Sequence, residues 1–232
     1  MKLKLTMIVL ALSLLAGAKT QAQVSTSYWQ NVNIVIPDDN PNGLFSTIQV
    51  GGLAGSLAFI NVSLDIANSY NGDLYAYLVN PNGDLAVLLN RVGVGNGDPF
   101  GYGDNGFDVA FSDTATNDIH LYQAGSYTLN GSGQLTGTWA ADGRNIDPDS
   151  TPLVFDAAAP TATLGSLLGT GPDGTWTLFI ADMSGGYEGT LVSWQLQIGM
   201  VPEPPINQLL AASGAFGAAC FAGRKARRNF RK

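Results

Sequence analysis

Carboxylate oxygen is the chemistry this 232-residue chain offers most freely. Sixteen of its eighteen acidic residues are Asp. Seventeen acids fall between residues 24 and 200 against two bases, Arg91 and Arg144, a net charge of −15 with no lysine. Carboxylates gathered on loops suit a hard divalent cation such as calcium, which takes about six to eight oxygen ligands. The same side chains also hydrogen-bond their own backbone in turns, so each Asp has a purely structural role open to it. Nucleic-acid binding is excluded, because phosphate contacts need clustered Lys and Arg.

Hydrolysis has little to work with. His120 is the only histidine and no G-x-S-x-G elbow occurs. A serine triad needs a base beside its nucleophile and an acid orienting that base, and His120, between Ile119 and Leu121, has no such partner near it in sequence. It reads as a structural histidine. One histidine and one cysteine, Cys220, cannot build a usual zinc site. A pair of carboxylates acting on a glycosidic bond stays open on counts alone, since it requires only two suitably buried acids. The expectation is a non-enzyme.

The elements that must position these residues are strands. Ile60, Val62, Leu64 and Ile66 alternate with Asn61, Ser63 and Asp65; Val192, Trp194, Leu196 and Ile198 alternate with Ser193, Gln195 and Gln197. Further short strands are expected at 32–36, 45–50, 74–79, 85–89, 107–111, 126–129 and 175–181. Asn-Gly or Asp-Gly turns recur between them, at Asn42, Asn71, Asn82, Asn130, Asp142 and Asp173. No stretch before residue 206 keeps a helical period. The fold class expected is all-β, a jelly-roll-like antiparallel β-sandwich over residues 24–200. Residues 140–170 read as long connections across one end, and the glycine-rich 93–106 as a solvated loop.

Both ends differ from this body. Lys2 and Lys4 precede an apolar run and a small-residue stretch, a signal peptide over residues 1–23. Residues 201–232 carry Val201-Pro202-Glu203-Pro204, an apolar helical segment, and a terminal cluster from Arg224. That order resembles a PEP-CTERM sorting signal. The resemblance implies an exosortase as sorting partner, transient anchoring in the inner membrane, and delivery to the bacterial cell envelope or matrix. The basic cluster should stay cytoplasmic.

The body resembles the proprotein convertase P domain (P/Homo B). The resemblance rests on Ile36-Pro37-Asp38-Asp39-Asn40-Pro41-Asn42-Gly43, on Gly72-Asp73-Leu74 with its strand to Asn82-Gly83, and on Leu135-Thr136-Gly137-Thr138-Trp139. It closes with Asp173-Gly174-Thr175-Trp176-Thr177-Leu178 through Asp182 and Gly189-Thr190-Leu191-Val192-Ser193-Trp194. It implies a jelly-roll-like sandwich of the kind that usually accompanies a subtilisin-like catalytic domain. Within these motifs, and in the matching loop 93–112 followed by Asp113-Thr114-Ala115, Asp38, Asp39, Asp73, Asp113 and Asp182 fall at strand ends, which makes them the candidate calcium ligands.

Three readings of function follow. The first is a non-catalytic surface module acting in binding, adhesion or assembly. The second is an accessory P domain serving a subtilisin-like protease in trans. The third is a carbohydrate-binding module, for which Trp139, Trp176, Trp194, Tyr75 and Tyr77 are the aromatic candidates. Trp176 and Trp194 fit a core better. Tyr75 and Tyr77 share one face of their strand and Leu74 and Leu78 the other, so one pair must face outward.

Overall fold

The computed structural model describes residues 24–201 apart from positions 54 and 96. The expected signal peptide, the sorting segment from residue 202 and Cys220 lie outside the described residues. Nine strands follow in order: β1 (Val24–Val35), β2 (Asn40–Val50), β3 (Ser56–Ala67), β4 (Leu74–Val79), β5 (Leu85–Asn90), β6 (Gly106–Ser112), β7 (Leu135–Trp139), β8 (Gly174–Asp182) and β9 (Thr190–Val201). The one α-helix among the described residues, α1, is short (Pro152–Ala157). No helix among them is long and apolar enough to cross a membrane.

The strands form two sheets, one ordered β1-β9-β3-β6-β7 and the other β2-β8-β4-β5. The period-two segments bury one side each. Ile60, Val62, Leu64 and Ile66 of β3 and Leu74, Ala76 and Leu78 of β4 are all at most 2% exposed. They meet Trp176, Leu178, Ile180, Trp194, Leu196 and Ile198 in a single core. Each central indole finds a polar partner: Trp194 Nε1 donates to Ser46 Oγ at 2.9 Å and Trp176 Nε1 to the Pro172 carbonyl at 2.9 Å.

Three sequence expectations change. Residues 126–129 do not form a strand; all four are exposed, so nothing there gains by alternating, and only Leu129 bridges to Leu135. The sheets are not wholly antiparallel either, because β7 runs parallel to β6, pairing Phe107 with Leu135 through Phe111 with Trp139. The connection between Ser112 and Leu135 is long enough to carry the chain back to the start of β6, which a hairpin cannot do. In β9 the inward set is Leu191 and Trp194, not Val192. Asp65 pairs with Ser193 and Ile66 with Leu191, so Val192 is the extra residue of a bulge that resets the alternation.

The 140–170 connection runs beside β5 rather than leaving that edge open. Val87 N donates to the Ala162 carbonyl at 2.8 Å, Gly143 N to the Val87 carbonyl at 3.0 Å and Asp142 N to the Leu88 carbonyl at 3.1 Å. Phe155 of α1 is buried alongside.

Candidate functional site

Antiparallel register decides which acids meet. Strands β2 and β4 flank β8 and run against it, so their first residues lie at its last. Asp182 ends β8 with Asn40 as its partner on one side and Leu74 on the other. Asp38 and Asp39 precede Asn40, and Asp73 precedes Leu74. Four of the five candidate ligands therefore share one corner. Gly43 makes the approach feasible: it adopts φ +48°, and a Cβ there would strike the Ile180 carbonyl.

Asp182 is fully buried. Its Oδ1 accepts from Ser184 N at 3.1 Å, while Oδ2 has no hydrogen-bond partner. Burial pushes its proton affinity up to about 6, and the charges of Asp73, Asp38 and Asp39 add to that against the Ser184 amide. Asp73 is also raised, first by burial and then by Asp38, with Arg91 and Ser184 opposing. Arg91 is the cation of this corner. It donates to the Gly72 carbonyl at 3.1 Å and to Ser184 Oγ at 3.1 Å, and stands 3.9 Å from Asp73 Oδ1. Asp38 is exposed and takes Gly186 N on both oxygens, at 3.1 and 3.2 Å. Among the described residues no three acid, imidazole or thiol side chains already stand in metal-holding geometry.

Asp113 is not part of this corner. It follows the last residue of β6, with its carboxylate against Leu164 and Gly165. The start of β6 is the end held to the corner, through Gly106 N and Asn71 Oδ1 at 2.8 Å. Asp113 is thus roughly 20 Å away along the strand.

His120 is a buried structural residue. Nδ1 lies 2.8 Å from Asp142 Oδ2 and Nε2 lies 3.1 Å from the Val94 carbonyl, so both ring nitrogens are engaged. The Phe155 ring stacks on it, with centroids 5.7 Å apart and planes 12° off parallel. Asp142 is fully buried and also accepts from Arg144 Nη1 at 3.2 Å. Arg144 Nη2 donates to Asp118 Oδ2 at 2.8 Å, and Asp118 Oδ1 accepts His120 N at 2.9 Å. Burial works against the Arg144 charge, but Asp118 and Asp142 outweigh it and hold the guanidinium above its ordinary value. This chain of four charged or ionisable groups has no counterpart in the local sequence. Its members come from two separate segments, 118–120 and 142–144.

The outer faces of the two sheets differ in chemistry. On the four-stranded sheet Leu74 and Leu78 point inward, leaving Tyr75 and Tyr77 half-exposed outside. Their rings continue onto Phe179 and Phe45. The Tyr77–Phe179 centroid distance is 4.7 Å with planes at 20°, and Phe45–Phe179 is 4.9 Å. Phe45 is 63% exposed and caps the row. Trp139, Trp176 and Trp194 are all buried and do not reach this face. The missed signal was Phe45 itself, an apolar ring alternating with Thr47 and Gln49 on a strand's polar side.

The five-stranded sheet instead shows a polar ladder. Asn61 Nδ2 donates to Gln197 Oε1 at 2.9 Å, and Asp65 faces Asp108 across β3 and β6.

No family model matches the chain, and no curated protein matches it. Among solved structures it is similar to the serine protease of Aeromonas sobria, crystallised alone and in complex with a chaperone. In both, sequence identity is 17%, the TM-score is 0.42, and the match covers 82% of this chain and 29% of the other. The chain therefore spans less than a third of that protease. A likeness this distant decides nothing about activity or partner.

Proposed function

We propose that this protein is an exported, non-catalytic β-sandwich module held at the bacterial cell envelope, binding an extracellular polymer through the aromatic face of its four-stranded sheet. The observation that carries the reading is the contiguous ring row of Phe45, Phe179, Tyr77 and Tyr75, with Phe45 largely in solvent. Packed around the buried Phe179, the exposed Phe45 and half-exposed Tyr77 and Tyr75 offer ring surface to the sugars of a polysaccharide, while Thr47 and Gln49 beside them supply hydrogen-bonding groups. The strand orders, with β7 set aside, are those of two interleaved Greek keys, in keeping with a jelly roll.

Two further observations support a binding role over a catalytic one. His120 is tied at both nitrogens and covered by Phe155, which leaves it no path to a substrate. Arg91 and Arg144, the two bases of the sandwich, are both engaged with carboxylates, so its outer charge is negative.

Affinity electrophoresis of the full chain through gels containing neutral or charged polysaccharides tests the proposal. Retardation by one polymer class, weakened about tenfold or more by Phe45→Ala and by Tyr77→Ala, is the expected result. Unretarded migration in every polymer, together with co-purification of a subtilisin-like protease, would replace this reading with the accessory one.

A further inference from the structure

We propose that the corner where β2 and β4 begin and β8 ends is a divalent-cation site of the calcium class, with Asp182 at its floor and Asp38, Asp39 and Asp73 around it. The proposal is independent of the polymer-binding face.

The buried oxygen of Asp182 is the leading observation. A carboxylate enclosed by protein normally has its oxygens hydrogen-bonded or paired, because leaving one bare forfeits its hydration without return. Asp182 Oδ2 has no partner, although it sits beside three more carboxylates. Arg91 does not neutralise it: the guanidinium is directed at Gly72, Ser184 and Asp73. Four acids against one base leave this corner short of positive charge.

Donor chemistry selects the cation. Side-chain donors here are carboxylates and the Ser184 hydroxyl, all hard oxygens, with no imidazole or thiol among them; the chain's sole histidine is committed elsewhere. Such a set favours calcium or magnesium over zinc or copper. Irregular loop donors suit calcium, which tolerates flexible geometry better than magnesium. The described side chains do not converge on one point, so binding draws in the exposed Asp39 and turns the exposed Asp38 away from the Gly186 amide that it holds. A cation there would join segments at residues 38–40, 73 and 182. It would do the work of a cross-link in a sandwich that has no cysteine.

The test uses the full chain with calcium chloride or terbium chloride alone as probe. Tyr70 is placed to sensitise terbium, because its backbone carbonyl takes the Asp73 amide and its ring packs against Tyr187 at 5.8 Å. Two results are expected in the unmodified chain: tyrosine-sensitised terbium luminescence displaced by calcium, and a saturable rise in Tm of about 5–10 °C over excess chelator. Both should be lost in Asp182→Asn and reduced in Asp38→Asn, and both should persist in Asp113→Asn. Asp38→Asn changes an exposed residue and keeps the fold testable if Asp182→Asn proves unstable. Neither signal in the unmodified chain, or undiminished signals in Asp182→Asn and Asp38→Asn, would overturn the proposal. So would equal loss in Asp113→Asn.

Discussion

Phe45 and Phe179 are register partners across β2 and β8, their rings 4.9 Å apart, yet one is 63% exposed and the other 6%. Phe179 is covered by its neighbours and belongs to the fold; Phe45 covers it and belongs to the surface. Truncating them should therefore separate stability from binding. Phe179→Ala should cost about 3 kcal/mol, whereas Phe45→Ala should cost about 1 kcal/mol or less while abolishing most polymer retention. Urea unfolding midpoints set beside gel mobility check the pair. Equal stability losses would mean that the two rings act as one packed unit.

The pH dependence of Asp182 has a definite sign. In excess chelator its folded-state value is about 6, above the ordinary 3.8 of an unfolded Asp. The native state then binds more protons than the unfolded one between those values, so this group's contribution favours folding below about 4 and is lost as pH rises through about 6. Asp73 shifts in the same direction. Subtracting the Tm profile of Asp182→Asn from that of the parent chain, both in chelator, should leave a difference that falls between pH 4 and 6 and is flat above. At pH 7 the Asn variant should be the more stable of the two.

The network around His120 predicts steep costs for half-deletions. Removing Asp142 by Asp142→Ala leaves the buried His120 Nδ1 without its partner and Arg144 with Asp118 as its one remaining carboxylate, at about 3 kcal/mol. Asp118 is a third exposed at its side chain, so Asp118→Asn should cost less, about 1–2 kcal/mol. Chemical denaturation reads both; equal costs would mean that Asp118 is as deeply committed as Asp142.

On the five-stranded sheet Asp65 and Asp108 face each other as like charges, and Gln134 Nε2 relieves only Asp65, at 2.9 Å from its Oδ1. Asp108→Asn should therefore stabilise the fold by about 0.2–1 kcal/mol, with the gain shrinking as salt is added. A salt-independent effect would point away from charge repulsion.

Much of this molecule was legible in the residues. The period-two runs of β3 and β4 bury the faces their patterns indicate, and Asp38, Asp39, Asp73 and Asp182 sit at strand ends that antiparallel pairing then draws together. What was illegible depended on long-range pairing. Nothing local to Leu135 says that it runs parallel to Phe107, and nothing near His120 announces Asp142 or Arg144, which reach it by a connection folding back on β5. The bulge at Val192 is invisible for the same reason: the alternation Val192, Trp194, Leu196 is unbroken on paper, and only the partner strand reveals the extra residue. Asp113 shares its residue type and strand-end position with the other four, but its strand end is the opposite one.

The connection lying along β5 has a consequence for self-association at high concentration. With Val87 already hydrogen-bonded at both its amide and its carbonyl, that margin of the sheet has no free ladder there for a neighbouring copy to extend. Copies at high concentration that meet on that side would touch loop backbone and α1 instead of zipping strand to strand, which opposes polymerisation into fibres along that margin.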